Sequence, residues 1–151
     1  RGLGDVYKRQ EHYEATPVRA GSEEYLDSEK YEIKARALDG PLLDLYGRLN
    51  AIRRAHPPLQ HIGPLRFLET RNDQLLAYLK GRGPGAILTC VDLDPHAAHE
   101  GVVEIPADAG LAERVRARDL LTDEVYTWRV GENYVRLGPD RGMAHVMELT
   151  W

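Results

Sequence analysis

The feature that most constrains the fold is a change of hydrophobic period at Pro64. Before it, in GPLLDLYGRLNAIRRAHPPLQ, Leu42, Leu45, Tyr46, Leu49 and Ile52 recur every three or four residues, which is one apolar stripe of a helix. Asp39 is placed to cap that helix and Pro41 fits its first turn. Arg53, Arg54 and His56 lie where cations suit the dipole, and Pro57 and Pro58 end it. After Pro64 the period is two. LRFLET, QLLAYLK, AILTCVDL, GVVEIP, RVRARDLL, EVYTWRV, NYVRL and AHVMELTW are short runs rich in Val, Leu, Tyr and Trp. Turn residues separate them: Asn72-Asp73, Gly81 to Gly85, Asp94-Pro95, Thr122-Asp123, Gly131 to Asn133 and Gly138 to Gly142. Hairpin-sized gaps between so many short strands predict an antiparallel β-sandwich over residues 64–151. A lone helix cannot bury its own stripe, so it either lies across the sandwich or is the last helix of a larger barrel.

Composition narrows the function classes. The chain has 151 residues, 42% of them apolar, which is enough for a packed core. A net charge of −4 with both signs interspersed argues against nucleic acid as a partner, because phosphate binding wants a basic surface. No apolar run approaches the length that spans a bilayer. The single cysteine, Cys90, excludes an internal disulfide framework and suits a reducing, cytoplasmic setting. RGLGDVYKRQ lacks an initiator methionine and an apolar signal region, and is read as a non-native leader, residues 1–10, set aside from fold reasoning.

Chemistry is sparse. GRGPGA precedes a strand and lacks the Lys-Ser/Thr of a phosphate loop, so it reads as a hairpin. His96 and His99 form an H-x-x-H in a loop without further ligands at metal-site spacing; no metal and no cofactor is expected. Cys90 sits among apolar strand residues and reads as buried rather than nucleophilic. Trp128 and Trp151 could stack on sugars, but Trp128 lies inside an alternating run and is expected in the core. The stretch GSEEYLDSEKYE holds five carboxylates, one lysine and two tyrosines. Alone, it is a solvated loop; its lysine and tyrosine flanked by carboxylates are also groups that hydrogen-bond sugar hydroxyls.

PVRAGSEEYLDSEKYE, the helix LYGRLNAIRRAHPPLQ, AILTCVDLDPH, LLTDEVYTW and NYVRL together resemble the C-terminal part of the bacterial α-1,4-glucan:maltose-1-phosphate maltosyltransferases, a family of the α-amylase superfamily. The resemblance runs from about Glu11 to the C-terminus and departs at Asp92, where the family strand usually carries asparagine; this puts a turn hydrogen bond in doubt. It implies a mainly β fold: residues 11–60 as the remnant of a (β/α)8 barrel, with the last helix at about 41–56, then an α-amylase-type sandwich. It implies a retaining glycosyltransferase of glycogen-type glucan synthesis, with α-maltose 1-phosphate and α-1,4-glucan as partners and a homodimeric parent. Retention uses two carboxyl groups about 5 Å apart, and no motif for either is present, so the catalytic groups are expected upstream. By the same resemblance Lys30 and Tyr31 contact the donor sugar and Glu29 orients Lys30. The Arg-x-Asp ending at Asp119 has the form of the α-amylase nucleophile motif, but too little chain follows it for a barrel, and it reads as a strand. Two alternatives stand beside this reading: a stand-alone glucan-binding sandwich, and a piece of a related hydrolase or trehalose-forming enzyme.

Overall fold

The computed structural model describes residues 16–22, 24, 26, 33, 35 and 39–151. The expected leader, residues 1–10, lies outside them, as do Glu29, Lys30 and Tyr31. The chain divides into two units, residues 1–50 and 51–151.

In the first unit, Leu26 N–H donates to Thr16 O at 2.7 Å and Val18 N–H to Glu24 O at 2.8 Å. Gly21 takes a φ of 76°, and the Ser22 hydroxyl accepts from Glu24 N–H at 3.1 Å. Helix α1, Leu43–Ala55, begins in this unit and ends in the second. It opens two residues after Pro41, with Leu43 N–H on Gly40 O at 3.0 Å. Asp39 therefore precedes the entry turn and is not the cap expected from sequence. The Gly-Pro-Leu turn already supplies that first carbonyl.

The second unit is built by the period-two runs, every one of which is a strand: β1 Leu65–Leu68, β2 Leu75–Lys80, β3 Ala86–Asp92, β4 His99–Ile105, β5 Arg114–Asp119, β6 Val125–Arg129, β7 Gly131–Leu137 and β8 Ala144–Thr150. All pairings are antiparallel. Six strands form one sheet in the order β1-β2-β3-β8-β5-β6, and β4 with β7 forms a second. Alternation places Leu75, Ala77, Leu79, Leu88, Cys90, Val115, Ala117, Trp128, Met147 and Leu149 of the larger sheet against Val103, Ile105, Val135 and Leu137 of the smaller. This is the sandwich core. The fully buried Val, Leu, Ile and Met side chains among them each contribute about 1.5–3 kcal/mol of transfer free energy.

The central strand β3 is buried on both faces. Its outward Ile87 belongs to a second cluster with Ile52 of α1, Leu120 and Val146, against which Leu59 and Leu121 pack. The end of α1 is fixed there by its own chemistry. His56 Nδ1 lies 2.8 Å from Ile52 O, its Nε2 is 3.7 Å from Glu148, and Pro57 then opens a 3-10 turn, Pro57–Gln60. The rest of the stripe differs: Leu45, Tyr46 and Leu49 are 44%, 37% and 40% exposed.

The expected hairpin at GRGPGA joins β2 to β3, with φ of 87°, 71° and 82° at Gly81, Gly83 and Gly85. These values lie in the left-handed region that glycine tolerates.

Candidate functional site

Each group with chemical potential has a definite place. Asp119, at the end of β5, is wholly buried and anchors a turn. His145 Nδ1 lies 2.7 Å from its Oδ2, and the backbone N–H groups of Leu121 (2.9 Å) and Val146 (3.3 Å) donate to its Oδ1. Burial works against its charge, but the His145 bond and the two amides outweigh it and hold the carboxyl below the usual carboxylate range. A carboxylate so enclosed organises structure; it has no access to a substrate. The sequence reading of this residue as part of a strand agrees with its position.

Asp92, at the end of β3, is also buried. Its Oδ1 accepts from Asp94 N–H at 3.0 Å, so the turn bond placed in doubt by an aspartate here is formed. His99 Nδ1 lies 3.1 Å from the same oxygen. Burial again opposes ionisation, and the Asp94 amide and His99 together keep the carboxyl below its ordinary range. The H-x-x-H pair is thereby divided: His99 turns to Asp92, while His96 is exposed and its backbone N–H caps Asp94 Oδ1 at 2.9 Å.

Cys90 is fully buried, and burial pushes its thiol up to about 12. It is not a nucleophile. Trp128 is buried in the core, as its alternating context predicts, and Trp151 is 65% exposed.

One cleft was not visible in the sequence. Glu113, Arg114, Thr127, Trp128, Arg129, Glu132, Asn133 and Tyr134 line a concavity of about 580 Å³ at the open side of the sandwich, where edge strand β6 approaches β7. Asn133, buried at the β6–β7 hairpin, accepts from Arg129 N–H at 2.9 Å and donates to Arg129 O and Gly131 O at 2.8 and 2.9 Å. That clamp fixes the floor. Tyr134 is 61% exposed, and its hydroxyl donates to Glu100 Oε2 at 2.8 Å. The accepting carboxylate raises the phenol above its ordinary range and keeps the proton on it. Arg129 Nε donates to Glu132 O at 3.2 Å, and Glu132 itself pairs with Arg71. Sequence alternation marks Arg114 and Tyr134 only as outward residues of two separate strands; they belong to different sheets and line one cleft only in the fold.

Comparison with known proteins now applies. The family model described as "GLGE, C-terminal" matches residues 67–149, which is β1 to β8 and more than half of the chain. The chain belongs to this GlgE C-terminal family. Among curated relatives, the α-1,4-glucan:maltose-1-phosphate maltosyltransferase 2 of Streptomyces coelicolor is 43% identical over 153 residues, covering 95% of this chain and 23% of that protein. The maltosyltransferase of Corynebacterium pseudotuberculosis is 43% identical over 158 residues, covering 97% of this chain and 23% of its own length. The chain thus spans about a quarter of the length of these relatives. Among solved structures, a noncanonic maltogenic α-amylase, AmyB of Thermotoga neapolitana, matches with a TM-score of 0.61 at 12% identity, over 80% of this chain and 28% of that one. That likeness supports the α-amylase-type sandwich expected from sequence. The GlgE C-terminal match begins within β1 and ends one residue before β8 does, so it leaves Glu29, Lys30 and Tyr31 outside its range.

Proposed function

We propose that this chain is the C-terminal part of a retaining glycosyltransferase that moves maltosyl units from α-maltose 1-phosphate to the non-reducing end of α-1,4-glucans, in cytoplasmic glucan synthesis. The observation that carries the reading is 43% identity to maltosyltransferases along 95% of the chain. The α-amylase-type fold alone does not choose, because the AmyB structure shares it. Retention calls for two accessible carboxyl groups about 5 Å apart. Asp92 and Asp119, the buried carboxylates described here, are each engaged with a histidine and closed off from substrate. By the same likeness, the reacting acids belong to a preceding part of the longer protein. In it, Lys30 and Tyr31 bind the donor sugar, Glu29 orients Lys30, and two such proteins associate as a homodimer. Among the described residues no helix is long and apolar enough to cross a membrane.

The sandwich serves as a cap on that longer protein. Leu65, Phe67 and Leu76 lie on the outer face of the β1–β2 ladder at 48%, 66% and 39% exposure, an apolar surface that a further domain would cover.

The test is phosphate release from α-maltose 1-phosphate with glycogen as acceptor. The longer chain should release phosphate without net reducing sugar, and Lys30→Ala should raise its KM for the donor. The 151-residue chain should be inactive. Activity of the short chain, or reducing sugar released in step with phosphate, overturns the reading.

A further inference from the structure

The outer face of β5 and β6 carries like charges that the fold does not neutralise. Along β5, Arg114, Arg116 and Arg118 are exposed and alternate with buried Val115, Ala117 and Asp119. On β6, Arg129 and Thr127 are exposed on the same face, opposite Arg114 and Arg116. Arg118 pairs with Asp123 at 2.7 Å. Among the described residues, no carboxylate pairs with Arg114, Arg116 or Arg129. Arg129 uses its Nε on the Glu132 carbonyl, which leaves its two terminal nitrogens without an acceptor.

Register makes the crowding severe. Asp119 N–H donates to Glu124 O, and Val130 N–H donates to Glu113 O. These bonds fix the parity of the ladder, so Arg114 and Arg129 oppose each other as a non-hydrogen-bonded pair. Residues in such pairs stand closest, with Cα atoms about 4.5 Å apart, and like charges placed there weaken a sheet. Arg116 follows on the same face about 7 Å along the strand. Stability alone gives no reason for three unpaired guanidinium groups at this edge.

Arg114, Thr127 and Arg129 also form one wall of the 580 Å³ concavity. The two carboxylates that line it do not cancel that wall. Glu132 pairs with Arg71. Glu113, one residue before Arg114, is turned by strand alternation to the opposite face.

The arrangement selects among ligand classes. A neutral ligand leaves the Arg114–Arg129 repulsion in place. A carboxylate has two oxygens, enough for one guanidinium fork. A phosphate group carries close to two negative charges and at least three acceptor oxygens around one centre. It can bridge Arg114 and Arg129, reach Arg116 and accept from the Thr127 hydroxyl at once. The net charge of −4 on the whole chain disfavours an extended polyanion and leaves a small ion as the better fit.

We propose that the β5–β6 edge is a binding site for a phosphate group, with Arg114 and Arg129 as its bridged pair, Arg116 as a third cation and Thr127 as a hydroxyl donor. A bound phosphate would join the two outer strands of the larger sheet and turn their repulsion into attraction. The site rests on the arginine lining alone and is independent of the maltosyl-transfer reading.

The experiment is titration calorimetry of the 151-residue chain in low-salt, phosphate-free buffer, with thermal melts in parallel. Inorganic phosphate is one arm and glucose 6-phosphate the other. The wild-type chain should bind with a Kd of about 1 mM, and about 10 mM ligand should raise its melting temperature by about 3 °C. Equal or tighter binding of inorganic phosphate assigns the site to the free ion; tighter binding of glucose 6-phosphate assigns it to a monoester. Arg114→Gln and Arg129→Gln should each weaken binding about tenfold or more. Without ligand, Arg114→Gln should melt no lower than wild type, because it removes the like-charge pair. Arg66→Gln, at the opposite edge of the sheet, loses the same charge and should bind as wild type does. No binding in either arm, an equal shift from sodium chloride at matched ionic strength, or binding unchanged by Arg114→Gln overturns the site. A clear loss of melting temperature in ligand-free Arg114→Gln also overturns it, since the arginine would then serve the fold itself.

Discussion

His145 Nδ1 lies 2.7 Å from the Oδ2 of the fully buried Asp119, across the β5–β8 ladder. The same histidine meets Tyr126 edge-on at 5.7 Å, and the Tyr126 hydroxyl donates to Glu124. One carboxylate thereby joins the ends of β5, β6 and β8. Its pKa is held below the ordinary value in the folded chain. Between the depressed and the ordinary value the unfolded chain binds more protons, so stability rises with pH there. The contribution is complete above an ordinary aspartate pKa of about 4 and is lost as pH falls through the depressed native value. Asp92 acts in the same direction. Thermal melts by circular dichroism should show a plateau above about pH 5 and a steep fall below pH 4. Asp119→Ala should lower stability by about 2–4 kcal/mol at pH 7 and flatten the acid limb, because it leaves His145 and the Leu121 amide without their acceptor.

Cys90 offers a direct probe of the closed core. Its thiol is fully buried and raised to about 12, so almost no thiolate is present at neutral pH. A disulfide-exchange reagent should leave the native chain unlabelled at pH 8 for as long as it stays folded. In denaturant one thiol should react promptly. Fast labelling of the native chain would show that β3 opens far more often than its packing implies.

How far the sequence discloses this molecule differs by level. Strand positions are legible, because alternation in runs such as RVRARDLL is a local signal, and Arg114, Arg116 and Arg118 are indeed outward while Val115 and Ala117 are buried. Sheet assignment is not local. That β3 pairs with β8, and that β4 leaves the larger sheet to pair with β7, depends on contacts between distant segments. The cap residue failed for a local reason: Asp39 is a good cap type, but the Gly40–Leu43 turn intervenes. The Asp–His pairs and the Tyr134 cleft are invisible in one dimension, since each joins residues on different strands. Glu29, Lys30 and Tyr31 lie outside the described residues, so their assignment stands on resemblance alone.

Gly101 on β4 marks a close approach that only a missing side chain permits. A Cβ there would meet Thr70 O at 2.7 Å and Leu75 Cδ1 at 2.9 Å. Thr70 cannot retreat easily: its carbonyl accepts from Val102 N–H at 3.0 Å, and its hydroxyl lies 2.9 Å from both Asn72 O and Leu75 O, which share its single proton. Gly101→Ala should therefore destabilise the sandwich by about 1–3 kcal/mol, the range for overpacking a fixed core. Gly47→Ala is the contrast. A Cβ there meets nothing within 4 Å on the exposed flank of α1, so it should stabilise the helix by about 0.5–1 kcal/mol. Urea midpoints of the two variants should move in opposite directions.

The apolar stripe of α1 carries unequal weight along its length, and mutation should expose the gradient. Ile52 is buried with Ile87, Leu120 and Val146. Leu49 and Leu45, one and two turns earlier, are 40% and 44% exposed. Ile52→Ala removes buried methylenes and leaves a cavity beside the central strand, which should reduce stability by about 2–4 kcal/mol. Leu45→Ser and Leu49→Ser should each stay within about 0.5–1 kcal/mol of wild type in the 151-residue chain, because surface positions away from packed clusters tolerate change. The same two serine substitutions in the longer protein discriminate a further use of the stripe. If another part of that protein covers Leu45 and Leu49, they should destabilise the long chain by about 2 kcal/mol or more each while sparing the short one. Equal, small effects in both chains would show that this half of the stripe remains at a water-facing surface.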